Sequence, residues 1–287
     1  MQNLNKFSRK ELLKLLAIVI LSDGCISNNG KSKCIQLETI SYNRCQHELF
    51  DYLCRKIFKK AVKSHIFGNS NIITSRLYGK EFASQLLLLS STFQTTPGPN
   101  LSKDKFLKSD QPSLKFLDKK DKKILKITML RIWFDFDGSI VPSFKLKFKK
   151  DKKNGKIYPY YQIQFQCDVN ISETNPNLIK DLINLCKELG LNPLLIKKDN
   201  WSGIEGVRMC ELKSIRKFIE FGGPITNVKI SAKSPRFLGI TKSAVCRGIV
   251  NLLNKKIPLS YYFKNKEEAL IKKEELNKLL INEIKKS

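Results

Sequence analysis

The chain has 287 residues, 41% of them hydrophobic, which is enough to bury a core in each of about two domains. Lys and Arg number 53 against 26 Asp and Glu, and the net charge of +27 favours a nucleic-acid partner over the alternative, an anionic membrane surface. The longest apolar run, 12–21, contains Lys14, is about half as long as a bilayer-spanning helix and lacks a signal-peptide cleavage site. This excludes a membrane span, and we expect an intracellular protein, cytoplasmic in a prokaryote or organellar.

The eight cysteines form no Cys-x-x-Cys pair, and the only histidines are His47 and His65. Zinc sites need clustered thiolates or imidazoles, so no zinc site is expected. We expect reduced cysteines that pack as small hydrophobic residues.

The first half of the chain begins with a predicted helix. Residues 8–11 read Ser-Arg-Lys-Glu, a capping-box pattern, and the apolar run after them ends at Ser22-Asp23-Gly24. The elements predicted after it are alternating segments near 33–42, an amphipathic helix near 46–59, strands near 61–65 and 72–77, and a helix over 80–89. The order is α-β-β-α-β-β-α.

The second half repeats this order. A helix near 121–136 ends at Asp137-Gly138, 114 residues after Asp23-Gly24, a spacing typical of two fused copies of one domain. The later elements are strands near 139–150 and 157–169, a helix near 177–189, strands near 193–198 and 204–212, and a short helix through Phe218. The pattern predicts an α+β fold of two pseudo-symmetric αββαββα repeats.

Composition sets the predicted boundaries. The first repeat spans 1–97, a linker rich in proline and charge spans 98–118, and the second repeat spans 119–258. The last segment, 259–287, is rich in Lys and Glu with Leu at helical spacing, which predicts an exposed, basic C-terminal helix.

Each of the two predicted motif helices ends in a similar nine-residue segment. Residues 16–24 read Leu-Ala-Ile-Val-Ile-Leu-Ser-Asp-Gly, and residues 130–138 read Leu-Arg-Ile-Trp-Phe-Asp-Phe-Asp-Gly. Asp-Gly after an apolar helix is also an ordinary helix stop, but two copies at equivalent places in similar halves are more specific. Both segments resemble the motif that names the LAGLIDADG homing endonucleases, here of the single-chain, two-repeat type.

The resemblance implies that the two motif helices pack side by side and bring Asp23 and Asp137 together as catalytic, metal-binding residues. Carboxylates that hold divalent ions between two scissile phosphates activate water and stabilise a developing oxyanion, and a helix C-terminus also favours cations. The expected ion is Mg2+, and the resemblance implies that the main-chain carbonyls of Ser22 and Phe136 complete its coordination. It further implies a monomer that cuts both strands of a long DNA target, with intron mobility as its biology.

Three positions depart from the family pattern. Ile18 and Ile132 stand where small residues usually let the helices approach, so a wider interface is expected. Phe136 takes a place that is usually small, and a ring directed into the site could block one metal position. Asp135 corresponds to Leu21 in the first copy and is therefore expected to be structural.

Alternating strands supply the candidate DNA contacts. Residues 143–149 alternate between apolar residues on one face and lysines on the other, and 161–167 alternate with glutamines, which can pair with adenine in the major groove. A water-exposed polar sheet face is the alternative interpretation. The DNA-binding candidates are Gln36, Glu38, Thr74, Arg76, Lys145, Lys147, Lys149, Gln162, Gln164, Gln166 and Arg208.

Family members often carry a lysine near the active site, and the segment 222–234 offers Lys229 and Lys233 as catalytic candidates, Lys229 first. A lysine there can polarise or deprotonate the water network around the attacked phosphate. The equivalent stretch of the first half, 93–97, has no lysine before Lys103.

Two other functions stay open at this point. A LAGLIDADG-derived maturase acting on intron RNA, or a nucleic-acid-binding protein that has lost cleavage, needs neither Asp23 nor Asp137. Retention of both aspartates favours the endonuclease, whereas Phe136 and Leu21 favour the binding protein. A membrane-surface protein is disfavoured, because the basic tail 264–286 mixes Glu with Lys and has no aromatic anchor.

Overall fold

The computed structural model describes residues 4–29, 32–40, 43–67, 72–99, 101–153, 156–230 and 235–287. The elements of the first repeat are α1 (Arg9–Asp23), β1 (Gly24–Asn29), β2 (Ser32–Ile40), α2 (Arg44–Phe58), β3 (Lys63–Phe67), β4 (Ile72–Tyr78) and α3 (Lys80–Leu87). Their strands form an antiparallel sheet in the order β1-β2-β4-β3.

The second repeat follows a short linker helix, α4 (Lys103–Lys108). Its elements are α5 (Lys123–Asp137), β5 (Gly138–Lys153), β6 (Lys156–Ser172), α6 (Pro176–Glu188), β7 (Leu194–Lys197), β8 (Ile204–Met209) and α7 (Leu212–Glu220). Its four strands pair in the equivalent order, β5-β6-β8-β7. The predicted α+β fold of two αββαββα repeats is confirmed, although β5 and β6 are far longer than β1 and β2.

Helix α1 begins and ends where local chemistry dictates. The Ser8 hydroxyl accepts a hydrogen bond from the Glu11 amide at 3.2 Å, and the Ser8 amide donates to the Glu11 carboxylate at 2.7 Å, which completes the capping box. At the other end the chain turns directly from α1 into β1. A Cβ on Gly24 would lie 2.7 Å from the Ile20 side chain and 2.9 Å from the Gln36 carbonyl oxygen, so only glycine fits this close turn.

Helix α1 packs against α5 and the first sheet, and α5 packs against the second sheet. Every residue of α1 from Leu15 to Leu21 is buried, because this apolar stretch is covered on all sides. Ile18 and Ile132 are both fully buried. Polar contacts also join the halves: Lys14 Nζ lies 2.5 Å from Asp121 Oδ2, and Gln46 Nε2 donates to the Asp135 carbonyl at 3.0 Å. The two repeats therefore share one continuous core.

A C-terminal extension of α8 (Lys242–Asn254), β9 (Ser260–Phe263) and α9 (Lys266–Lys285) packs on the second repeat. Helix α9 buries Leu276, Leu280 and Ile284 against α8 and the sheet. Asn277 also bonds the main-chain N–H and C=O of Phe144 on the edge strand β5, at 3.0 and 3.1 Å. The expectation of an exposed C-terminal helix is wrong, because the leucine stripe of α9 covers apolar surface. No helix within the described ranges combines the length and apolar composition of a membrane span.

Candidate metal centre and nucleic-acid surface

Asp23 and Asp137 are the last residues of α1 and α5, and the packing of these helices brings the two carboxylates together. Burial raises the pKa of Asp23 above its usual range. Burial, the neighbouring Asp23 carboxylate and Glu173 together raise the pKa of Asp137 well above its usual range. Two carboxylates that repel each other in this way gain from a shared cation, because the cation removes the repulsion.

The donor set of this centre suits a hard divalent ion. Among the described residues, no group of three or more His, Cys, Asp or Glu side chains converges as a metal site. Two carboxylates therefore act with oxygen donors of other kinds, and the last carbonyls of a helix, those of Ser22 and Phe136 among them, lack intrahelical partners. Mg2+ commonly binds one or two carboxylates and keeps several waters, so the residues present fit it.

Lys242, in the first turn of α8, lies at the end of α5. Its buried ammonium donates to the carbonyl oxygens of Phe134 and Asp135, each at 2.8 Å. Burial lowers the pKa of Lys242 to about 8, and the carboxylates of Asp135, Asp137 and Asp23 oppose that shift. A fixed cation, supplied by the C-terminal extension, thus lies beside the carboxylate pair.

Lys242 is not among the predicted site residues, although the pattern of residues around it in the sequence is unusual. Thr241 caps α8 by accepting a hydrogen bond from the Ala244 amide at 3.1 Å, and the buried stripe that follows is Val245, Cys246, Ile249 and Leu252. Lys242 falls on that stripe at helical spacing. A lysine on an otherwise apolar stripe requires a buried partner.

Of the two lysines predicted near the active site, the structure describes Lys229. Lys229 is exposed, and its main chain forms an isolated bridge with Thr241. Lys233 lies outside the described residues. Of the lysines that the structure describes in this region, Lys242 is the one that touches the end of a motif helix.

The two motif copies differ in sequence at the positions of Asp135 and Phe136. The buried Asp135 carboxylate accepts hydrogen bonds from the amides of Ile225 at 3.1 Å and Thr226 at 2.8 Å, and burial raises its pKa to about 7. It therefore ties α5 to a loop, in keeping with the structural role expected for it. Phe136 is half buried and packs against the core, whereas its counterpart Ser22 donates to the Ile18 carbonyl at 2.9 Å.

The polar face of the second sheet carries the predicted lysines and glutamines together. Lys145 pairs with Gln164, Lys147 with Gln162, and Lys147 Nζ lies 3.3 Å from Gln164 Oε1. On the same face Gln166 pairs with Ser143, and Arg208 pairs with Asn170. The residues with most exposed surface are Lys145, Lys149 and Arg208, while Gln162 is only 7% exposed.

The polar face of the first sheet is linked internally. Gln36 pairs with Arg76 and Glu38 with Thr74, and Arg76 Nε donates to Gln36 Oε1 at 2.8 Å. Gln36 Nε2 and Thr74 Oγ1 lie 3.4 and 3.3 Å from Glu38 Oε2. Thr74 is 1% exposed. These four side chains form one connected network on the face.

Both polar faces begin at the carboxylate pair. Gly24 is the first residue of β1 and Gly138 is the first residue of β5, so each strand leaves the centre directly after its aspartate. The centre therefore lies at the junction of the two sheets. A groove of about 400 Å³ on the second face is lined by Lys145, Lys147 and Arg208, among others.

The chain matches no protein-family model and no curated protein sequence. Its fold is similar to that of I-DmoI crystallised in complex with DNA and calcium, with a TM-score of 0.44 and 12% identity over 75% of this chain and 90% of that one. Meganuclease I-SmaMI bound to uncleavable DNA gives 0.45 and 12%, over 85% and 92%. The N-terminal LAGLIDADG domain of DUF199/WhiA gives 0.40 and 15%, over 81% and 89%. These are similarities of fold, of the kind that the two motifs predict.

Proposed function

We propose that the chain is a site-specific, divalent-metal-dependent DNA endonuclease that uses Mg2+ and hydrolyses phosphodiesters of both strands of a long target. The observation that carries the proposal is the pair of carboxylates, Asp23 and Asp137, at the junction of two polar sheets, where burial and the neighbouring Asp23 carboxylate raise the pKa of Asp137. Burial of two neighbouring carboxylates is unfavourable and is not needed for aspartates that only end a helix.

Each residue of the centre has a distinct task. Asp23 and Asp137 would hold the ion, which would supply Lewis-acid activation of water and charge stabilisation. Lys242 holds the carbonyls of Phe134 and Asp135, which fixes the direction in which the end of α5 presents Asp137. The main-chain carbonyls of Ser22 and Phe136 offer further oxygen donors.

The two sheets bind the DNA. With a net charge of +27, the chain gains affinity by neutralising phosphates and releasing counterions. We assign phosphate contacts to Lys145, Lys147, Lys149 and Arg208 because these side chains are at the polar face with their charges available. Base contacts are assigned to Gln164, Gln166 and the network of Gln36, Glu38 and Arg76.

One observation favours a second candidate, a nucleic-acid-binding protein without cleavage, such as a maturase acting on intron RNA. Phe136 places an aromatic ring next to Asp137, where the first repeat has the small Ser22. The ring is only half buried, and Phe136 directly precedes Asp137 in the chain. A bound but uncut duplex, or a preference for RNA, would favour this candidate.

The test uses a supercoiled plasmid that carries a duplex selected by the protein from randomised DNA, incubated with Mg2+. We expect the parent to produce linear DNA, and Asp23→Asn and Asp137→Asn to lower cleavage of at least one strand by about a thousandfold, since each loses a charged ligand worth several kcal/mol in the transition state. DNA affinity should stay within about threefold.

Asp199→Asn, at an exposed aspartate in the turn between β7 and β8, is the matched control and should cut as the parent does. If both centre variants cut at the parental rate, the carboxylates only end helices and their assignment as metal ligands of the endonuclease is wrong. If the parent binds the selected duplex and never nicks it, the binding protein is the correct function.

A further inference from the structure

The C-terminal extension adds a fifth strand to the polar face of the second sheet. Strand β9 pairs with β6 on the edge that β8 leaves open, with Tyr262 opposite Gln162 and Ser260 opposite Gln164. Cross-strand partners share a face, so Tyr262 and Ser260 lie on the face that carries Lys145 and Lys147. Tyr262 is 64% exposed.

The strand is held firmly from its other side. Tyr261 and Phe263 alternate onto the opposite face and pack against the hydrophobic core, and the Phe165 amide donates to the Leu259 carbonyl at 2.8 Å. Tyr262 is thus a fixed side chain on a strand, with its ring 5.8 Å from that of Tyr160. Anchoring lowers the conformational entropy that a contact through Tyr262 would cost.

Tyr262 is exposed where Gln162, a residue predicted to contact DNA, is buried. Gln162 Nε2 lies 3.4 Å from the Tyr262 hydroxyl, and the Gln162 Oε1 atom is buried with no hydrogen-bond partner among the described residues. Because Gln162 is almost fully buried and Tyr262 is mostly exposed, Tyr262 presents the polar group at this end of the face. Lys149, opposite Tyr160, continues the positive row beside it.

The position along the strand gives a distance from the centre. Gly138, next to Asp137, pairs with Ile171, and Gln162 lies nine residues before Ile171 on β6. At about 3.3 Å per residue this is about 30 Å, the length of about nine base pairs at about 3.4 Å each. In the first repeat, β1 extends five residues beyond Gly24 to Asn29, about 17 Å or about five base pairs.

We infer that Tyr262 and Tyr160 form an outer DNA contact about nine base pairs from the scissile phosphates, on the side of the second repeat only. The inference rests on the proposed function, because it assumes that the duplex follows both sheets away from the carboxylate pair. The Tyr262 hydroxyl accepts from Gln162 and can donate to a phosphate or sugar oxygen, whereas the Tyr160 hydroxyl donates to Asp151 at 3.4 Å and supports the contact through its ring. This contact adds affinity and length to one half-site. In the part of the first repeat that the structure describes, the sheet has four strands and no counterpart of β9.

The experiment is hydroxyl-radical footprinting of the parent and variants on a duplex selected from randomised DNA, without Mg2+ so that cleavage plays no part. We expect protection to extend through about nine base pairs on one side of the centre and about five on the other. Tyr262→Phe, which keeps the ring, should lose protection about nine base pairs from the centre and weaken binding about three- to tenfold, the effect of one neutral hydrogen bond.

Two variants that each gain an arginine distinguish a DNA contact of Tyr262 from a purely structural role. Tyr262→Arg should steepen the dependence of log affinity on log salt by about one, since a new cation meets a phosphate. Tyr52→Arg is the matched control: Tyr52 lies on α2, on the helix side of the first sheet, and the same charge there should leave the slope unchanged.

The outcomes are distinguishable. A symmetric footprint, or equal salt slopes for the two arginine variants, overturns the outer contact while DNA recognition stands. If no duplex is enriched from the randomised pool, the proposed function fails and the outer contact fails with it. Thermal unfolding at the parental temperature for Tyr262→Phe confirms that β9 is still in place.

Discussion

The two repeats share a fold but differ in how their polar faces and motif helices are built. In the first repeat the face is an interconnected network of Gln36, Glu38, Thr74 and Arg76 on short strands. In the second the face is a row of lysines on strands of 16 and 17 residues, extended by β9. A network that is already hydrogen-bonded gains little from a phosphate but is fixed in shape. Under the proposed function, this difference predicts base discrimination mainly in the first half and affinity mainly in the second.

The ends of the motif helices differ in the same sense. Helix α5 is held from outside by Lys242, Gln46 and the loop amides that bind Asp135, whereas at the end of α1 the Ser22 hydroxyl bonds its own helix at Ile18. Asp137 is thus more strongly positioned than Asp23. The centre is built on one fixed carboxylate and one less constrained carboxylate.

The largest expected effect comes from removing the cation at α5. Lys242→Met keeps the length of the side chain but leaves the buried Asp135 carboxylate and two carbonyls without it, which should lower the free energy of unfolding by about 3 kcal/mol. Ser22→Ala, the matched change at α1, removes one hydrogen bond and should cost about 1 kcal/mol or less. Urea unfolding without metal measures both, with the exposed Lys229→Met as the control. Equal losses at Lys242 and Ser22 would remove the difference between the helix ends.

The next effect concerns affinity. Changing Lys145 and Lys147 together to Ala should weaken binding to every duplex by about thirtyfold and lower the salt slope by about two, because two phosphate contacts are lost. Changing Lys180 and Lys187 of α6 together removes the same charge on the helix side and serves as the control. A changed base preference at parental affinity would mean that these lysines contact bases instead.

Two buried titratable groups, His47 of the first repeat and Glu173 of the second, change the stability of the chain with pH in opposite directions. Burial raises the pKa of Glu173 to about 7, so the folded state keeps a proton that the unfolded state has lost, and stability falls as pH rises from about 4.5 to about 7. Burial lowers the pKa of His47 to about 4, so stability falls as pH drops from about 6.5 to about 4. His47 is held neutral between the hydroxyls of Thr39 and Ser75, each at 2.7 Å.

As the pH rises from 5 to 8, the free energy of unfolding of Glu173→Gln should therefore increase by about 2 kcal/mol relative to that of the parent. As the pH falls from 7 to 4.5, the free energy of unfolding of His47→Gln should increase relative to that of the parent. Unfolding free energies across this range measure the two slopes. Parallel curves for parent and variants would show that neither group titrates differently on folding.

The smallest effect tests the network of the first face. Arg76→Ala removes the 2.8 Å bond to Gln36 and frees that amide to rotate. We expect discrimination among bases at one or two positions to fall about three- to tenfold, with less than about threefold change on unrelated duplexes. Competition binding with single-base variants of the selected duplex measures this. Uniform weakening across all duplexes would identify Arg76 as a phosphate contact, like the lysines of the second face.

Much of the fold could be predicted because its signals are local. The spacing of Asp23 and Asp137 marks the repeat, and strict alternation assigns Lys145 and Lys147 to one face whatever the strands pair with. The position of Lys242 could not be predicted in the same way, because its partners are about a hundred residues away in sequence. Helix α9 packs on an apolar surface that exists only after β5 and β6 have paired. The leucine stripe of α9 therefore could not show from the sequence which surface the helix covers.

The inter-repeat bond between Lys14 and Asp121 has a consequence for the assembly of the halves. At the repeat spacing of 114 residues, Lys14 corresponds to Thr128 and Asp121 to Phe7, so the bond cannot be formed in the reverse sense. The polar contacts across the interface are therefore asymmetric, unlike those of the self-complementary interface of a symmetric homodimer. The chain is in effect a covalently tethered heterodimer, in which one half supplies the lysine of this bond and the other half supplies the aspartate.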